Sequence, residues 1–366
     1  MPVAPQLVSS ARRRADEMSD VGEVIKGPLK GYHHETYVLR LPGGTGAVKV
    51  REPRAEILWF DRRCFASEEE LLRALQGHVS CIPDIIDVSG VGLQSFIEGR
   101  TVRQHPLLNR RVPDAVFDQL VGLFREMAGI TPYILPVQRR CENKDRSEDG
   151  DCGGFMERLI TFSEEQVFKR NSARFGGLFS ELGVDGDSFD RLRKYVSGLK
   201  DRPFCLLHAD LHRKNLVVDE RGRLWAIDWE LAMLGDPLYD LATHLYLMRY
   251  PAAQERRMIR AWCEAVERVC PGGSFGWEED LPRIRDFKKA QSVFTDVIRV
   301  SLSLCEGAGF DWAGLPRAGR TLRRALANAA EPLGLDAVPN YSQIMAALVR
   351  WHLAETWAAH GLHAYG

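Results

Sequence analysis

A chain of 366 residues is long for one hydrophobic core, so two lobes or two domains are expected. Its 45% hydrophobic and 27% charged residues suit a globular protein rather than a disordered or fibrous one. The 49 lysines and arginines nearly balance 50 aspartates and glutamates, and a formal net charge of −1 excludes the basic excess that a nucleic-acid backbone demands.

Residues 1–20 set Arg12, Arg13 and Arg14 in a row with no apolar stretch behind them, which reads as a tail or short surface helix and not as a signal peptide. No apolar run approaches the roughly 18 residues of a membrane helix. The eight cysteines contain no C-x-x-C pair, as expected of reduced thiols. These features predict a cytoplasmic protein, monomeric, with neither nucleic acid nor membrane as partner.

Residues 21–98 read as a small antiparallel sheet with one inserted helix. Glu35–Leu41 alternates with period two, a glycine-rich turn follows, and Ala47–Val50 returns as the second arm of a hairpin. Phe65, Leu71, Leu72 and Leu75 fall at helical spacing, with glutamates at 68, 69 and 70. Ile82–Val88 and Gly92–Ile97 are further short strands. From about Pro113 the pattern turns helical, over Ala115–Met127, Phe189–Leu199, Ala253–Cys270, Phe287–Cys305, Arg317–Ala330 and Tyr341–Ala358. The polar stretch Arg139–Gly154 reads as a mobile insertion. A β-rich part followed by a larger helical part makes an α+β protein.

The segment most informative about chemistry is Phe204–Glu230. An apolar strand delivers His208 and Asp210 to a loop, Asn215 opens a second strand, and after a turn at Asp219–Gly222 a third strand ends at Asp228. Asp210, Asn215 and Asp228 thereby reach one edge, and all three present oxygen atoms. Mg²⁺ prefers such donors and completes its shell with phosphate oxygens, while one further carboxylate can orient an attacking hydroxyl and accept its proton. The bland alternative for each is a strand-end cap or turn former.

The order His208-Ala-Asp-Leu-His212, Asn215, Ile227-Asp-Trp-Glu230 and Gly235-Asp-Pro-Leu-Tyr-Asp-Leu-Ala242 resembles the aminoglycoside-phosphotransferase and choline-kinase family of the protein-kinase-like superfamily. The resemblance implies a two-lobed protein-kinase-like fold, with an N-lobe at 21–98, a hinge near 95–100 and a mainly helical catalytic and substrate-binding C-lobe at 99–366. It implies an ATP- or GTP-dependent kinase acting on a hydroxyl, with Asp210 as catalytic base and Asn215 and Asp228 as Mg²⁺ ligands. His208, His212 and Asp236 would support the loop, and Asp240 would cap a helix beginning at Leu241. Ala209 stands where the family commonly has glycine, which removes backbone freedom but no chemical group.

By the same resemblance Lys49 would grip the nucleotide phosphates and be held by a helix glutamate. Helical register selects Glu68, with Glu69 and Glu70 as competitors. Gly31, with Gly27, resembles a loose phosphate-facing turn, although two glycines in an ordinary hairpin read the same way. Ser95 and Ile97 lie at the expected hinge, where backbone groups pair with a purine. Glu230 and Asp296 are candidate substrate contacts, with Glu157 and Glu306 as further acidic candidates. The implied acceptor is a hydroxylated antibiotic, such as an aminoglycoside or a nucleoside antibiotic, which would make the chain a resistance enzyme. A choline-like alcohol or sugar, or a nucleotide-binding pseudokinase role, are the alternatives.

Overall fold

In Ala47–Pro53 (β3) alternate side chains face opposite sides of the sheet, so Val48 and Val50 enter the core while Lys49 and Arg51 emerge on the other face. The computed structural model describes residues 23–30, 34–42, 46–53, 62–88, 90–102, 111–305 and 309–359, together with Arg13. Contacts divide the chain into two compact units. The first comprises residues 1–141, 205–234 and 247–270, and the second 142–204, 235–246 and 271–366.

In the first unit, Glu23–Lys30 (β1), His34–Arg40 (β2), β3, Ile85–Val88 (β4) and Val91–Ser95 (β5) form a five-stranded sheet ordered β1-β2-β3-β5-β4. β3 is thus an interior strand, paired with β2 along its length and with β5 through Val48–Ser95 and Lys49–Gln94. Tyr37, Leu39, Leu41, Val48, Val50, Val88 and Leu93 form its core. Glu68–Leu75 (α1) begins at Ser67, whose hydroxyl caps Glu70 N–H at 3.2 Å, and buries Leu71, Leu72 and Leu75. The first unit also contains Arg100–Thr101 (β6), Asp114–Ala128 (α2), Cys205–Leu207 (β7), Leu216–Val218 (β8), Leu224–Ala226 (β9) and the whole of Ala252–Glu267, the helix that packs on α2. Gln254 joins the two helical segments by exchanging hydrogen bonds with both backbone groups of Val112.

The second unit is helical. It contains Cys152–Phe162, Ser172–Glu181, Asp187–Tyr195, Trp277–Ser303, Leu315–Leu333 and Tyr341–Ala359, and Phe168, Phe179, Phe189 and Phe294 cluster within it, with Phe189 stacked on Phe294 at 4.5 Å. The helix expected from Phe287 begins ten residues earlier, at Trp277, and accommodates Pro282 inside its second turn. Arg139–Gly154 is not a structureless insertion. Arg139 bridges Phe65, Arg140 N–H donates to Cys64 O at 2.9 Å, Asn143–Asp145 forms a 3₁₀ turn and a helix starts at Cys152. No helix among the described residues is long and apolar enough to cross a membrane.

Candidate active site

β7, buried throughout, is anchored where Leu206 N–H donates to Ile130 O at 2.8 Å, and it carries the chain into His208 and Asp210. Between them Ala209 adopts φ +62°, a left-handed conformation that glycine takes without steric cost. Asn215 then organises the loop. Its side-chain amide donates to Asp210 O at 3.0 Å and Asp210 Oδ2 at 3.1 Å, and its backbone N–H meets His212 O at 2.9 Å and His212 Nδ1 at 3.3 Å. His212 Nε2 stands 3.7 Å from Asp210 Oδ2. β8 and β9 pair in antiparallel register, and the bond from Ile227 N–H to Asn215 O (2.9 Å) extends that pairing to the residue before Asp228. The first unit therefore brings Asp210, Asn215 and Asp228 together.

His208 is fully buried, tilted on the Trp229 indole at 4.6 Å, with Nε2 3.2 Å from Ile227 O. Burial pulls its pKa down to about 4, so the ring is neutral and braces the loop. Asp228, at φ +69°, keeps a side chain that is 40% exposed. Its acid is pushed up, first by desolvation in its recess and next by the neighbouring Glu68 carboxylate, with Asp210 adding to the repulsion.

Glu68 is the inward-facing glutamate of α1, 6% exposed against 36% for Glu69, while Glu70 points to solvent. Its ion-pair partner departs from expectation. Arg51, two residues beyond Lys49 on the same face of β3, takes the Glu68 carboxylate, and Glu68 Oε1 also accepts Trp229 N–H at 2.8 Å. The longer, forked arginine reaches the glutamate at the first turn of α1, so Lys49 is not the residue that holds it. Lys49 remains close enough to feel Glu68 and Asp228, but burial, and next Arg51, lower its pKa. Arg51 and Arg63 carry no signal in the sequence, and Gln94 is visible there only as part of a short strand leading into the expected hinge. A cavity of about 530 Å³ is lined by Lys49, Arg51, Glu68, Gln94, Trp229 and Glu230, among others. Both amide atoms of Gln94 lack a hydrogen-bond partner among the described residues.

The remaining candidates fall in several places. Ser95 ends β5, and its hydroxyl accepts Asp84 N–H at 2.9 Å; Ile97 follows, half-buried. Gly31 and Glu306 lie outside the described residues. Glu230 pairs with Arg63 at 3.0 Å, and burial, then Asp228, raise its acid to about 7. Asp236, Asp296 and Glu157 belong to the second unit. There Asp236 binds Arg202 through both oxygens at 2.8 and 2.7 Å and accepts Leu238 N–H at 2.9 Å. It thus caps the helix Pro237–Met248, in whose first turn Asp240 is buried rather than capping an end at Leu241. Glu157 accepts Arg193 Nε at 2.9 Å, which commits it to a structural ion pair. Asp296 sits half-buried on Trp277–Ser303.

Among the described residues no three His, Cys, Asp or Glu side chains are grouped to hold a metal by themselves. Asp228 with Asn215 fits a hard cation that takes its other ligands from a bound phosphate. The amide nitrogen of Asn215 is spent on Asp210, so its oxygen is the atom that would ligate such a cation, and the crowding of carboxylates at Asp228 is what a divalent charge would relieve.

Residues 24–279 match the sequence profile described as the phosphotransferase enzyme family. None of the curated proteins matches the chain. Among solved structures, the choline kinase LicA from Streptococcus pneumoniae is similar at 18% identity, covering 87% of this chain and 98% of that one with a TM-score of 0.52. The macrolide 2'-phosphotransferase MphH from Brachybacterium faecium is similar at 16% identity, over 90% and 99% of the two chains, with a TM-score of 0.50. The gentamicin complex of APH(2'')-IIa gives 14% identity, 90% and 99% coverage and a TM-score of 0.51. At these identities the likeness is one of fold: the α+β, protein-kinase-like arrangement.

Proposed function

Because the chain belongs to the phosphotransferase enzyme family, we propose that Asp210 and its neighbours transfer the γ-phosphoryl of ATP or GTP to a hydroxyl of a small molecule. The observation that carries this reading is Asn215. One side chain fixes the Asp210 carboxylate, and the same residue's carbonyl fixes the strand that presents Asp228.

In this reading residues 21–98 bind the nucleotide, residues 95–100 are the hinge at which Ser95 and Ile97 flank the purine, and residues 99–366 supply catalysis and the acceptor site. Lys49, on an interior strand, holds the α- and β-phosphates. Asp228 and the Asn215 oxygen hold Mg²⁺, which when bound screens the charge of the phosphates. Asp210, 31% exposed, faces the acceptor, orients its hydroxyl and takes the proton as the oxygen attacks in line. His208 stays neutral beneath the loop, and His212 steadies it.

The acceptor in this proposal is a hydroxylated antibiotic, with a choline-like metabolic alcohol as the alternative. Glu157 and Glu230, two of the acids expected to hold a polycation, are already neutralised by Arg193 and Arg63. That pairing favours an acceptor with few positive charges, which places antibiotics of low charge ahead of highly basic aminoglycosides. A panel of both kinds assayed for ADP or GDP release tests the ranking. Preferential turnover of tetra- or pentacationic aminoglycosides would reverse it, and turnover of choline alone would select the alternative.

A further inference from the structure

Two cations rise from one face of β3, and their surroundings differ. Lys49 has Gln94 directly across the ladder and lines the cavity. Arg51 is locked: its guanidinium pairs with Glu68 and reaches to 3.7 Å from Asp228 Oδ1, with only 18% of the side chain exposed. Glu68 in turn spends its other oxygen on the backbone N–H of Trp229.

We propose that Arg51 is a positioning residue for Asp228, acting through Glu68, and that the division of labour leaves Lys49 to the triphosphate; the inference rests on the phosphotransferase reading above. The chain of contacts is short. Asp228 is a non-glycine residue at φ +69°, a conformation that reverts to an ordinary one unless its neighbours fix it. Trp229 does the fixing. Its indole is fully buried with Nε1 donating to Ala226 O at 3.0 Å, and its N–H is held by Glu68. A carboxylate as buried as Glu68 keeps its place and its charge only with a cation against it, and Arg51 is that cation. Arg51 also balances Asp228 directly, standing between two carboxylates that would otherwise repel, so the residue that would ligate Mg²⁺ keeps its place beside Glu68. A lysine at 51 would supply the charge but not the fork that spans two carboxylates.

The test separates metal binding from nucleotide binding in the full-length protein. ADP affinity is measured by calorimetry in EDTA, and Mn²⁺ affinity of the ADP complex by electron paramagnetic resonance. Arg51→Gln leaves Glu68 buried without its partner and is liable to misfold. The double variant Arg51→Gln/Glu68→Gln removes both charges together and keeps the fold testable. The expected result is a loss of about tenfold or more in Mn²⁺ affinity for the double variant, with ADP affinity in EDTA unchanged within about twofold. Arg51→Lys recovers part of that loss. Lys49→Ala gives the opposite pattern, weaker ADP binding in EDTA. Wild-type Mn²⁺ affinity in the double variant, or ADP binding in EDTA lost as severely as in Lys49→Ala, overturns the inference while the wild type still binds ADP. A wild type that binds no ADP overturns the phosphotransferase reading, and this inference with it.

Discussion

The loop at His208–Asp210 is held at some energetic cost, and the cost is measurable. An imidazole whose pKa falls from about 6.5 to about 4 on burial is neutral in the folded protein. The unfolded chain therefore takes up a proton that the folded one refuses. This stabilisation is fully present above the unfolded pKa and is lost as pH falls from 6.5 towards 4, on the order of 3 kcal/mol in all. Chemical denaturation at pH 7, 5.5 and 4 should show that fall, and His208→Gln should flatten it; an unchanged slope would remove His208 as its source. Next to it, Ala209 sits at φ +62°. Ala209→Gly relieves a left-handed strain of about 1–2 kcal/mol and adds about 0.4–1 kcal/mol of unfolded-state entropy, so it should stabilise by about 0.5–1 kcal/mol, read from the denaturant midpoint.

At the scale of elements, two close contacts set limits on variation. Gly99 lies so near β8 that an added methyl would stand 2.4 Å from Val218 O, a backbone atom that cannot move aside without breaking the β6–β8 pairing. Gly99→Ala should cost about 1–3 kcal/mol by thermal or denaturant unfolding. In the second unit Arg202, fully buried, holds Asp236 and Asp280 at 2.7 Å each. Arg202→Met strands two carboxylates and should cost about 3–5 kcal/mol, whereas replacing all three by apolar residues should cost far less.

These elements also mark where the sequence is readable. The loop from His208 to Asp228 is legible because its side chains are brought together by local turns and one hairpin, so spacing alone constrains them. Glu68 is legible from helical register, since Leu71, Leu72 and Leu75 fix the buried face of α1. Its partner is not, because the contest between Lys49 and Arg51 is decided by reach across a tertiary contact. The helices between Cys152 and Glu181 are hidden by Gly153-Gly154 and Gly176-Gly177, whose low helix propensity is outweighed by burial of Phe155, Leu159, Phe175 and Phe179. The early start of Trp277–Ser303 is masked by Pro282, which forgoes one backbone hydrogen bond in the second turn, a loss outweighed by burial of Leu281, Ile284 and Phe287.

Taken as a whole, the molecule places Lys49, Asp210, Asn215 and Asp228 in the first unit and much of its remaining helical mass in the second. Of the acids expected to meet an acceptor, Glu157 and Glu230 are already paired with arginines. What stands or falls with the account is transfer itself, at Asp210. The direct measurement is mass spectrometry of hydroxylated acceptors incubated with protein, Mg²⁺ and γ-¹⁸O-labelled ATP or GTP, run alongside Asp210→Asn. An acceptor should gain one labelled phosphoryl group, at a rate that falls by about 10²–10⁴ in Asp210→Asn while nucleotide affinity is kept. Label released only as free phosphate with every acceptor, or transfer by Asp210→Asn at the wild-type rate, would contradict it.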